Sequence, residues 1–280
     1  MSAGTQGNAP TGVGRTALGV AVVRAMESRR RDRLFDDPYA GAFLAAAQGP
    51  FIPSQRGTAA LVGGVSATGA EFWSRVVLRT RFFDDHLLAV AAGGVGQVVL
   101  LAAGLDTRAH RLDWPAGTNL FELDLPEVLA FKRKVLRRYR AVPRCAHRPV
   151  AADLRGPWGE ALSAAGLDSA RPTAWLLEGL LIYLTPAETE HVLATVDALS
   201  APGSVAAFEY ESVGATALRA SAARLPGVAQ YAALWRDGQP DAGAFLAGKG
   251  WRIEAHPAER VQARYGRGGV AGGFVTATRA

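Results

Sequence analysis

The stretch that decides the fold reads Val98-Val99-Leu100-Leu101-Ala102-Ala103-Gly104-Leu105-Asp106-Thr107-Arg108. Its first part belongs to a continuous β-branched and aliphatic run, Gln97 to Leu101, which is typical of a strand buried on both faces of a parallel sheet. Small residues follow, and small residues let backbone amides approach a ligand closely. The stretch therefore predicts a buried strand that leads into a ligand-binding turn.

Similar apolar runs recur towards the C-terminus, and helical patterns separate them. Strands that alternate with helices favour right-handed crossovers, so we expect an α/β fold with a doubly wound, mostly parallel seven-stranded sheet. The predicted strands after the first are Asn119 to Asp124, the short run Pro149 to Ala151, Thr173 to Glu178, Ser204 to Glu209, Trp251 to Glu254 and Gly273 to Thr278. The predicted helices between them are Pro126 to Arg140, Pro186 to Leu199 and Asp241 to Gly250.

The residues before the first strand have a helical pattern. Helices are predicted at Thr16 to Glu27, at Tyr39 to Ala47 and at Glu71 to Ala92. We expect a disordered tail at residues 1–14 and a single domain at 15–280. Within that domain, 15–95 would form a helical N-terminal cap and 96–280 an α/β core with a lid insertion at about 211–240.

Composition narrows the class of protein. The chain has 280 residues, of which 49% are hydrophobic and 20% charged, as in ordinary globular proteins. It shows no signal-peptide pattern at the start, and its apolar runs are shorter than the roughly 18 residues of a membrane helix. The single cysteine, Cys145, has no thiol partner for a disulfide or a metal. We therefore expect a cytoplasmic protein without a metal and without a membrane partner.

The formal net charge of +6 comes almost wholly from arginine. These arginines are scattered among loops and helix faces, which is more typical of a solvated surface than of a nucleic-acid groove. We expect no nucleic-acid partner, although the excess charge would attract an anionic substrate.

Two acids end the second predicted strand. Glu122 and Asp124 stand about 20 residues after Gly104, where a doubly wound fold places a carboxylate against the ribose hydroxyls of a nucleoside. The alternative is that Asp124 caps the helix that begins near Pro126. The turn lacks the G-x-G-x-x-G pattern that accommodates a pyrophosphate, which favours S-adenosylmethionine over a nicotinamide dinucleotide.

Two further acids complete the pattern. In Ala152-Asp153-Leu154-Arg155, the carboxylate of Asp153 would accept a hydrogen bond from the adenine amino group, and Leu154 would pack on the ring. Glu178 lies alone in the apolar stretch Thr173 to Pro186, and a buried carboxylate needs a cation. That cation would be an arginine of the chain or, as we favour, the ammonium or sulfonium side of the cofactor.

Taken together, these pieces resemble the leucine carboxyl methyltransferase-like family of class I S-adenosylmethionine-dependent methyltransferases, and within it the bacterial polyketide O-methyltransferases. Four further segments carry the resemblance over nearly the whole chain. They are Arg24-Ala25-Met26-Glu27, Leu34-Phe35-Asp36-Asp37-Pro38-Tyr39-Ala40, Arg79-Thr80-Arg81-Phe82-Phe83-Asp84-Asp85 and Leu181-Ile182-Tyr183-Leu184-Thr185-Pro186. The resemblance implies a class I methyltransferase core with extra N-terminal helices.

The resemblance also implies roles for single residues. Arg79 or Arg81, with Arg79 preferred, would hold the carboxylate of S-adenosylmethionine, and Glu178 would face its amine. Gly104 would lie against its methionine part, Asp124 would bind the ribose, and Asp153 with Leu154 would contact the adenine. Apart from the resemblance, Ala102 and Asp106 of the same turn and Glu122 of the same strand are further predicted cofactor contacts. One departure is Ala102-Ala103-Gly104, where the family often has Gly-Ala-Gly.

The predicted reaction is transfer of a methyl group to a carboxylate or hydroxyl oxygen of a small acidic or phenolic molecule, such as a polyketide-type secondary metabolite. A carboxylate acceptor is ionised near neutral pH and needs no general base, whereas a phenol or alcohol benefits from one. Tyr183, Tyr210, Tyr231 and Trp235 are the candidate substrate contacts, and filling the core is their alternative role. None of the five histidines is assigned to catalysis, and a monomer or homodimer is expected.

Three other functions are compatible with a fold of this class, and the sequence leaves two of them open. Esterification of a protein's C-terminal carboxylate and non-catalytic binding of S-adenosylmethionine remain as alternatives. Nucleic-acid methylation is disfavoured, because Glu178-Gly179-Leu180-Leu181 replaces the Asn/Asp-Pro-Pro-aromatic box that holds a flipped base.

Overall fold

The computed structural model describes residues 16–47, 67–210, 234–236, 241–268 and 272–280. Within these ranges the helices are α1 Thr16–Glu27, α2 Ala40–Ala46, α3 Ala67–Ala92, α4 Arg108–Arg111, α5 Pro126–Arg138, α6 Trp158–Ala164, α7 Pro186–Ala198, α8 Ala242–Gly248 and α9 Ala258–Tyr265. The strands are β1 Gln97–Leu101, β2 Asn119–Asp124, β3 Ala146–Ala151, β4 Thr173–Leu177, β5 Val205–Tyr210, β6 Trp251–Pro257 and β7 Gly273–Arg279. A 3₁₀ turn covers Leu181–Tyr183.

The seven strands form one sheet in the order β3-β2-β1-β4-β5-β7-β6. The first five strands in that order are parallel, while β7 is antiparallel to both β5 and β6. The chain moves outward from β1 to one side through β2 and β3, and then returns to the other side through β4. The predicted doubly wound, mostly parallel sheet is confirmed, and its order reverses between β1 and β4, where such sheets form a ligand crevice.

Helices cover both faces of the sheet because its central strands are apolar on both sides. Val99 and Leu101 of β1 face a core cluster that includes Val192 of α7 and Leu246 of α8. Val98 and Leu100, which alternate with them, face a second cluster that α3 completes with Leu78, Phe82, Phe83 and Leu87. All five residues of β1 are buried, as the continuous apolar run predicts.

The N-terminal helices lie against the turn that follows β1. Leu105 of that turn shares a core cluster with Leu18 of α1, Phe43 of α2 and Phe131 of α5. The buried Arg24 of α1 donates from Nη2 to the carbonyl oxygen of Leu105 at 2.7 Å. This packing fixes the helical cap to the same turn that the sequence predicts as a ligand site.

Most predicted boundaries differ from the observed ones by one to four residues, and those of α1, β1 and β2 agree. The sequence analysis missed helices α4, α6 and α9, and it anticipated only the last half of β3. Strand β3 lies at the edge of the sheet and is largely exposed, so it has no apolar run, and its Pro149 is tolerated there. Helix α9 separates β6 from β7, so those strands pair antiparallel without a tight hairpin turn.

Two predictions fall partly or wholly outside the described residues: the disordered tail at 1–14 and most of the lid insertion at 211–240. Among the helices that the structure describes, none combines the length and apolarity needed to cross a membrane.

A change in the turn after β1 tests its backbone conformation. Ala102 has a φ of 50°, in the left-handed region that costs a non-glycine residue about 1–2 kcal/mol. Ala102→Gly relieves this strain, and the greater flexibility of glycine in the unfolded chain offsets about 0.5–1 kcal/mol of it. We expect the free energy of unfolding, measured with urea, to rise by up to about 1 kcal/mol.

The matched control is Ala103→Gly, because Ala103 is the next residue and is not among the positive-φ residues of the described chain. This substitution relieves no strain and should lower the free energy of unfolding by about 0.5–1 kcal/mol. Equal destabilisation by both substitutions would show that Ala102 is not strained.

Candidate active site

Three carboxylates stand where neighbouring strands end. Strands β2, β1, β4 and β5 are adjacent and parallel, so their carboxyl ends lie at one edge of the sheet. Asp124 is the last residue of β2, Glu178 directly follows β4, and Glu209 is the penultimate residue of β5. The glycine turn that follows β1 lies between the first of these acids and the other two.

Asp124 is bound by the backbone of the turn. Its Oδ2 accepts the N–H of Gly104 at 2.6 Å, and its Oδ1 accepts the N–H of Leu125 at 2.7 Å. Helix α5 has Leu125, not Asp124, at its N-cap position, so Asp124 does not play the capping role considered as an alternative. The carboxylate therefore ties the end of β2 to the turn after β1.

Asp124 has hydrogen-bonding capacity left over. An ionised carboxylate accepts about four hydrogen bonds, and the backbone of the described chain supplies the two above. Burial raises the pKa of Asp124, and this effect outweighs the two N–H groups that lower it. Two hydroxyl donors, such as those of a ribose, would both use the remaining lone pairs and stabilise the ionised form.

Glu178 lies between two arginines. Nε of Arg79, from α3, is 2.8 Å from Oε1 of Glu178, and Nη1 of Arg108, from α4, is 2.7 Å from Oε2. Of the two cations considered for Glu178 in the sequence analysis, the structure shows the arginine, and it shows two of them. The two arginines leave room for a further donor on the carboxylate, so its contact with the cofactor stays a prediction.

The ion pairs extend beyond Glu178. Arg79 also pairs with Glu209 at 2.7 Å, and Arg108 pairs with Asp106 and, at 2.7 Å, with Asp84. Arg111 binds the other side of Asp84 at 2.6 Å. Burial by itself raises the pKa of Asp106. The positive charges around it, Arg108 foremost, lower that pKa by a larger amount, so Asp106 is ionised. Four carboxylates thus face three guanidiniums, and the described network carries one excess negative charge.

The glycine turn is enclosed by the N-terminal cap. Gly104 has a φ of 51°, and a Cβ placed on it would lie 3.2 Å from Cβ of Ala17 in α1. A side chain at this position would both strain the backbone and collide with α1. The position therefore needs glycine, and α1 forms one wall of the site.

The structure separates Arg79 from Arg81. Arg81 donates to the carbonyl oxygen of Leu34 at 2.7 Å, pairs with Asp85 at 3.0 Å and is 40% exposed. Arg79 is bound to Glu178 and Glu209 at the strand ends. The geometry supports Arg79 as the residue of this pair that lies at the candidate site.

Glu122 already has side-chain partners within the protein. Its Oε2 lies 2.7 Å from Nζ of Lys132 and 2.9 Å from Nε2 of His147. The burial of Glu122 is explained by these partners, so the prediction of a ribose contact is better supported for Asp124 than for Glu122.

Asp153 and Leu154 follow β3, next to the end of β2. Asp153 is partly exposed and pairs with Arg155 at 2.5 Å, whereas Leu154 is buried in the core cluster that includes Val150. Their contacts with adenine remain a prediction.

The candidate substrate aromatics divide into described and undescribed residues. Tyr183 lies in the 3₁₀ turn just after Glu178, and Tyr210 ends β5 with its ring against Gly273. The N–H of Arg236 bonds the carbonyl oxygen of Ile182 at 2.9 Å, which places Trp235 beside that turn. Tyr231 lies outside the described residues.

The five histidines contact other groups. His191 bonds the carbonyl oxygen of Gly156, His147 binds Glu122, His110 packs against Tyr39 and His147, His256 bonds Thr276, and His86 stacks on Phe82. None of these contacts involves Asp124 or Glu178.

The sequence analysis missed Glu209. It predicted a strand that ends at this residue but assigned the carboxylate no function. The available signal was the same one that drew attention to Asp124 and Glu178, an acid at the carboxyl end of a buried strand.

Residues 17–197 match the family model described as leucine carboxyl methyltransferase. A relative from Frankia alni, provisionally named an S-adenosyl-L-methionine-dependent methyltransferase, is 47% identical over 99% of this chain and 98% of its own. A relative from Saccharopolyspora erythraea with the same provisional name is 44% identical over the full length of both chains.

The fold agrees with this assignment. The crystal structure of a protein from Thermobifida fusca, provisionally described as a methyltransferase, aligns with 85% of this chain and 92% of its own. Its sequence identity is 16% and its TM-score 0.55, so the likeness concerns the fold alone.

The seven-stranded sheet and its strand order are those of the class I methyltransferase fold. The chain belongs to the leucine carboxyl methyltransferase family, and its methyl donor is S-adenosylmethionine. The described residues fit this cofactor in two respects. Asp124 retains capacity for two hydroxyl groups, and the excess negative charge suits a ligand with a sulfonium, an ammonium and one carboxylate.

Removing each of the two arginines tests the importance of the buried network. Arg79→Met leaves Glu178 and Glu209 without their shared cation, and breaking a buried ion pair costs about 3–5 kcal/mol. Arg81→Met removes a partly exposed pair with Asp85 and one hydrogen bond to a carbonyl oxygen, and it should cost about 1–2 kcal/mol. We expect this difference in urea unfolding, and similar losses in the two variants would contradict the network as described.

The raised pKa of Asp124 makes cofactor affinity dependent on pH. Ribose hydroxyls donate to the ionised carboxylate, so affinity falls as the pH drops through the raised pKa, by about tenfold per pH unit at most. We expect titration calorimetry with S-adenosylhomocysteine to show constant affinity near neutral pH. As the pH is lowered, the affinity should begin to fall at a pH above about 4, the usual pKa of an aspartate.

Asp124→Asn is the control for this pH dependence, because its side chain does not titrate. Its affinity should be weak and nearly independent of pH, with circular dichroism at each pH confirming that the protein is folded. Wild-type affinity that depends on pH no more than that of Asp124→Asn would contradict a role for Asp124 in binding.

Proposed function

We propose that this methyltransferase transfers the methyl group to an oxygen of a small molecule, and that the acceptor oxygen belongs to a carboxylate or a hydroxyl group. The match of residues 17–197 to a family described by carboxyl methylation carries the proposal, because that range contains Asp124, Asp153 and Glu178. The described contacts of the five histidines involve neither Asp124 nor Glu178, so they give no histidine the role of a general base. This favours a carboxylate acceptor, which is ionised near neutral pH and needs no base.

In this proposal, residues at the strand ends and Arg79 of α3 each bind one part of the cofactor. Arg79 binds the carboxylate of S-adenosylmethionine, Glu178 its ammonium and Asp124 the ribose hydroxyls. Gly104, flanked by Ala102 and Asp106, lies against the methionine part, and Asp153 with Leu154 contacts the adenine. Bound S-adenosylmethionine supplies a methyl group already activated by the sulfonium.

The work left to the protein is alignment. The acceptor oxygen must lie in line with the bond between methyl and sulfur, and water must be excluded, so catalysis rests on proximity and orientation. Helix α1, packed on Gly104, closes one side of the site. Tyr183, Tyr210 and Trp235 are the aromatic residues of the described chain proposed to contact the acceptor, and Tyr231 belongs to the same proposal.

We propose an acidic or phenolic metabolite of the polyketide type as the acceptor, on the basis of the family resemblance. A protein C-terminal carboxylate is the alternative from the same family. The free thiol of Cys145 fits the reducing cytoplasm, which we propose as the location.

The acceptor class can be determined by the chemical stability of the product. The enzyme is incubated with S-adenosylmethionine labelled on its methyl group and with matched panels of aromatic acids, phenols, alcohols and peptides with free C-termini. Methyl esters release volatile labelled methanol in mild alkali, whereas aryl and alkyl ethers do not. We expect label transfer to a small molecule; transfer to peptides alone would establish the alternative, and transfer to nitrogen would refute O-methylation.

Asp124→Asn tests whether this transfer depends on the proposed site. Loss of a charge-assisted pair of hydrogen bonds to the ribose should lower kcat/KM by about 10–100-fold. Asp113→Asn is the matched control, because Asp113 is 92% exposed and pairs with Arg144 at the surface. Equal activity of the two variants would exclude Asp124 from the site.

A further inference from the structure

Glu209 is the strand-end acid to which neither the family resemblance nor the proposed function gives a role. It comes from β5, next to β4 in the sheet, and its side chain is 12% exposed. Its Oε1 lies 2.7 Å from Nη1 of Arg79, and its Oε2 accepts the N–H of Gly179 at 2.5 Å. Both carboxylate oxygens are therefore bound to groups that adjoin Glu178.

Arg79 is divided between two carboxylates. A guanidinium and a carboxylate commonly form a bidentate pair in which two parallel N–H groups bind both oxygens. Arg79 instead gives Nε to Glu178 and Nη1 to Glu209. Burial lowers the pKa of Arg79, but the charges of Glu209 and Glu178 together raise it by more.

Glu209 also fixes the backbone next to Glu178. Gly179 has a φ of 63°, and a Cβ on it would lie 3.1 Å from Nη1 of Arg79. The guanidinium thus packs on the glycine whose N–H Glu209 accepts. Three contacts, from Glu209 to Arg79, from Glu209 to Gly179 and from Arg79 to Glu178, form one closed arrangement.

We propose that Glu209 is a positioning residue for the amino-acid end of S-adenosylmethionine. By holding Nη1 of Arg79 and the N–H of Gly179, Glu209 prevents Arg79 from closing onto Glu178 in a bidentate pair. Glu178 then keeps lone pairs for the ammonium of the cofactor, and Arg79 keeps Nη2, which takes part in neither ion pair, for its carboxylate. This inference rests on the proposed placement of the amino-acid end at Glu178.

Two ligands separate this role from a general structural one. S-adenosylhomocysteine carries both the adenosine and the amino-acid part, whereas 5′-methylthioadenosine carries the adenosine without the amino-acid part. In Glu209→Gln, an amide N–H₂ group or a neutral oxygen replaces the charged acceptor, and Arg79 is free to turn towards Glu178. We expect affinity for S-adenosylhomocysteine to fall about 10–100-fold, and affinity for 5′-methylthioadenosine to change less than about threefold.

Titration calorimetry of the full chain measures both affinities, and thermal unfolding shows that each variant is folded. Glu209→Asp keeps the charge on a shorter side chain and should lose less affinity for S-adenosylhomocysteine than Glu209→Gln. Glu254→Gln removes a carboxylate that is 74% exposed on β6 and should change neither affinity. Asp124→Asn should weaken both ligands, since both contain the ribose.

The outcomes distinguish the two levels of the argument. If the wild type binds S-adenosylhomocysteine no more tightly than 5′-methylthioadenosine, the placement of the amino-acid end at Glu178 is wrong. If the wild type discriminates and Glu209→Gln retains that discrimination, or loses affinity for both ligands equally, the positioning role of Glu209 is refuted.

Discussion

The ion pair between Arg79 and Glu178 joins the long helix α3 to the end of β4, and the rest of the site is arranged around it. Both side chains are largely buried, at 11% and 15% exposure. Taking two charges out of water costs free energy that their attraction does not always return, so such a pair is weak evidence of a gain in stability. The pair instead fixes the positions of the two side chains, because a buried charge must stay in contact with its partners.

The surrounding charges follow from the same constraint. Arg108 cannot be buried without partners, and it has Asp84, Asp106 and Glu178 around it. These pairs connect α3, the turn after β1 and the end of β4, which are distant in sequence. The surplus of one carboxylate in the described network makes the region suited to a cation, and the sulfonium of S-adenosylmethionine is one. A fixed arrangement of charges of this kind needs no reorganisation when ligand binds.

The sequence predicted what local pattern determines. The continuous apolar run of β1 and the apolar residues of β2 predicted both strands, and the alternation of strands with helices predicted their parallel pairing. The acids Glu122 and Asp124 led to the prediction of a ligand site at the end of β2. The exposed edge strand β3 was only half predicted, because it has neither a continuous apolar run nor a regular alternation of apolar and polar residues. Helix α9 is only eight residues long and buries only Ala258 and Val261, so it has too few apolar residues to be recognised from them.

Side-chain partners at long range could not be read from the sequence. The sequence analysis considered an arginine or the cofactor as the cation beside Glu178, but it could not say which arginine. The structure places Arg79 and Arg108 there, 99 and 70 positions away along the chain. The same limit applies to Glu122, whose partners Lys132 and His147 come from α5 and β3. Glu209 acquires its significance only when β5 is placed beside β4. The sequence pattern shows which residues end each strand, but the sheet topology determines which of these residues become neighbours.

The most direct test of the account is a crystal structure of the protein with S-adenosylhomocysteine. The account predicts that the ribose hydroxyls donate to Asp124 and that the amino-acid end lies between Arg79 and Glu178, with Glu209 still bound to Arg79. A ligand bound at the same edge of the sheet with its ribose away from Asp124, or with its amino-acid end away from Arg79 and Glu178, would contradict it.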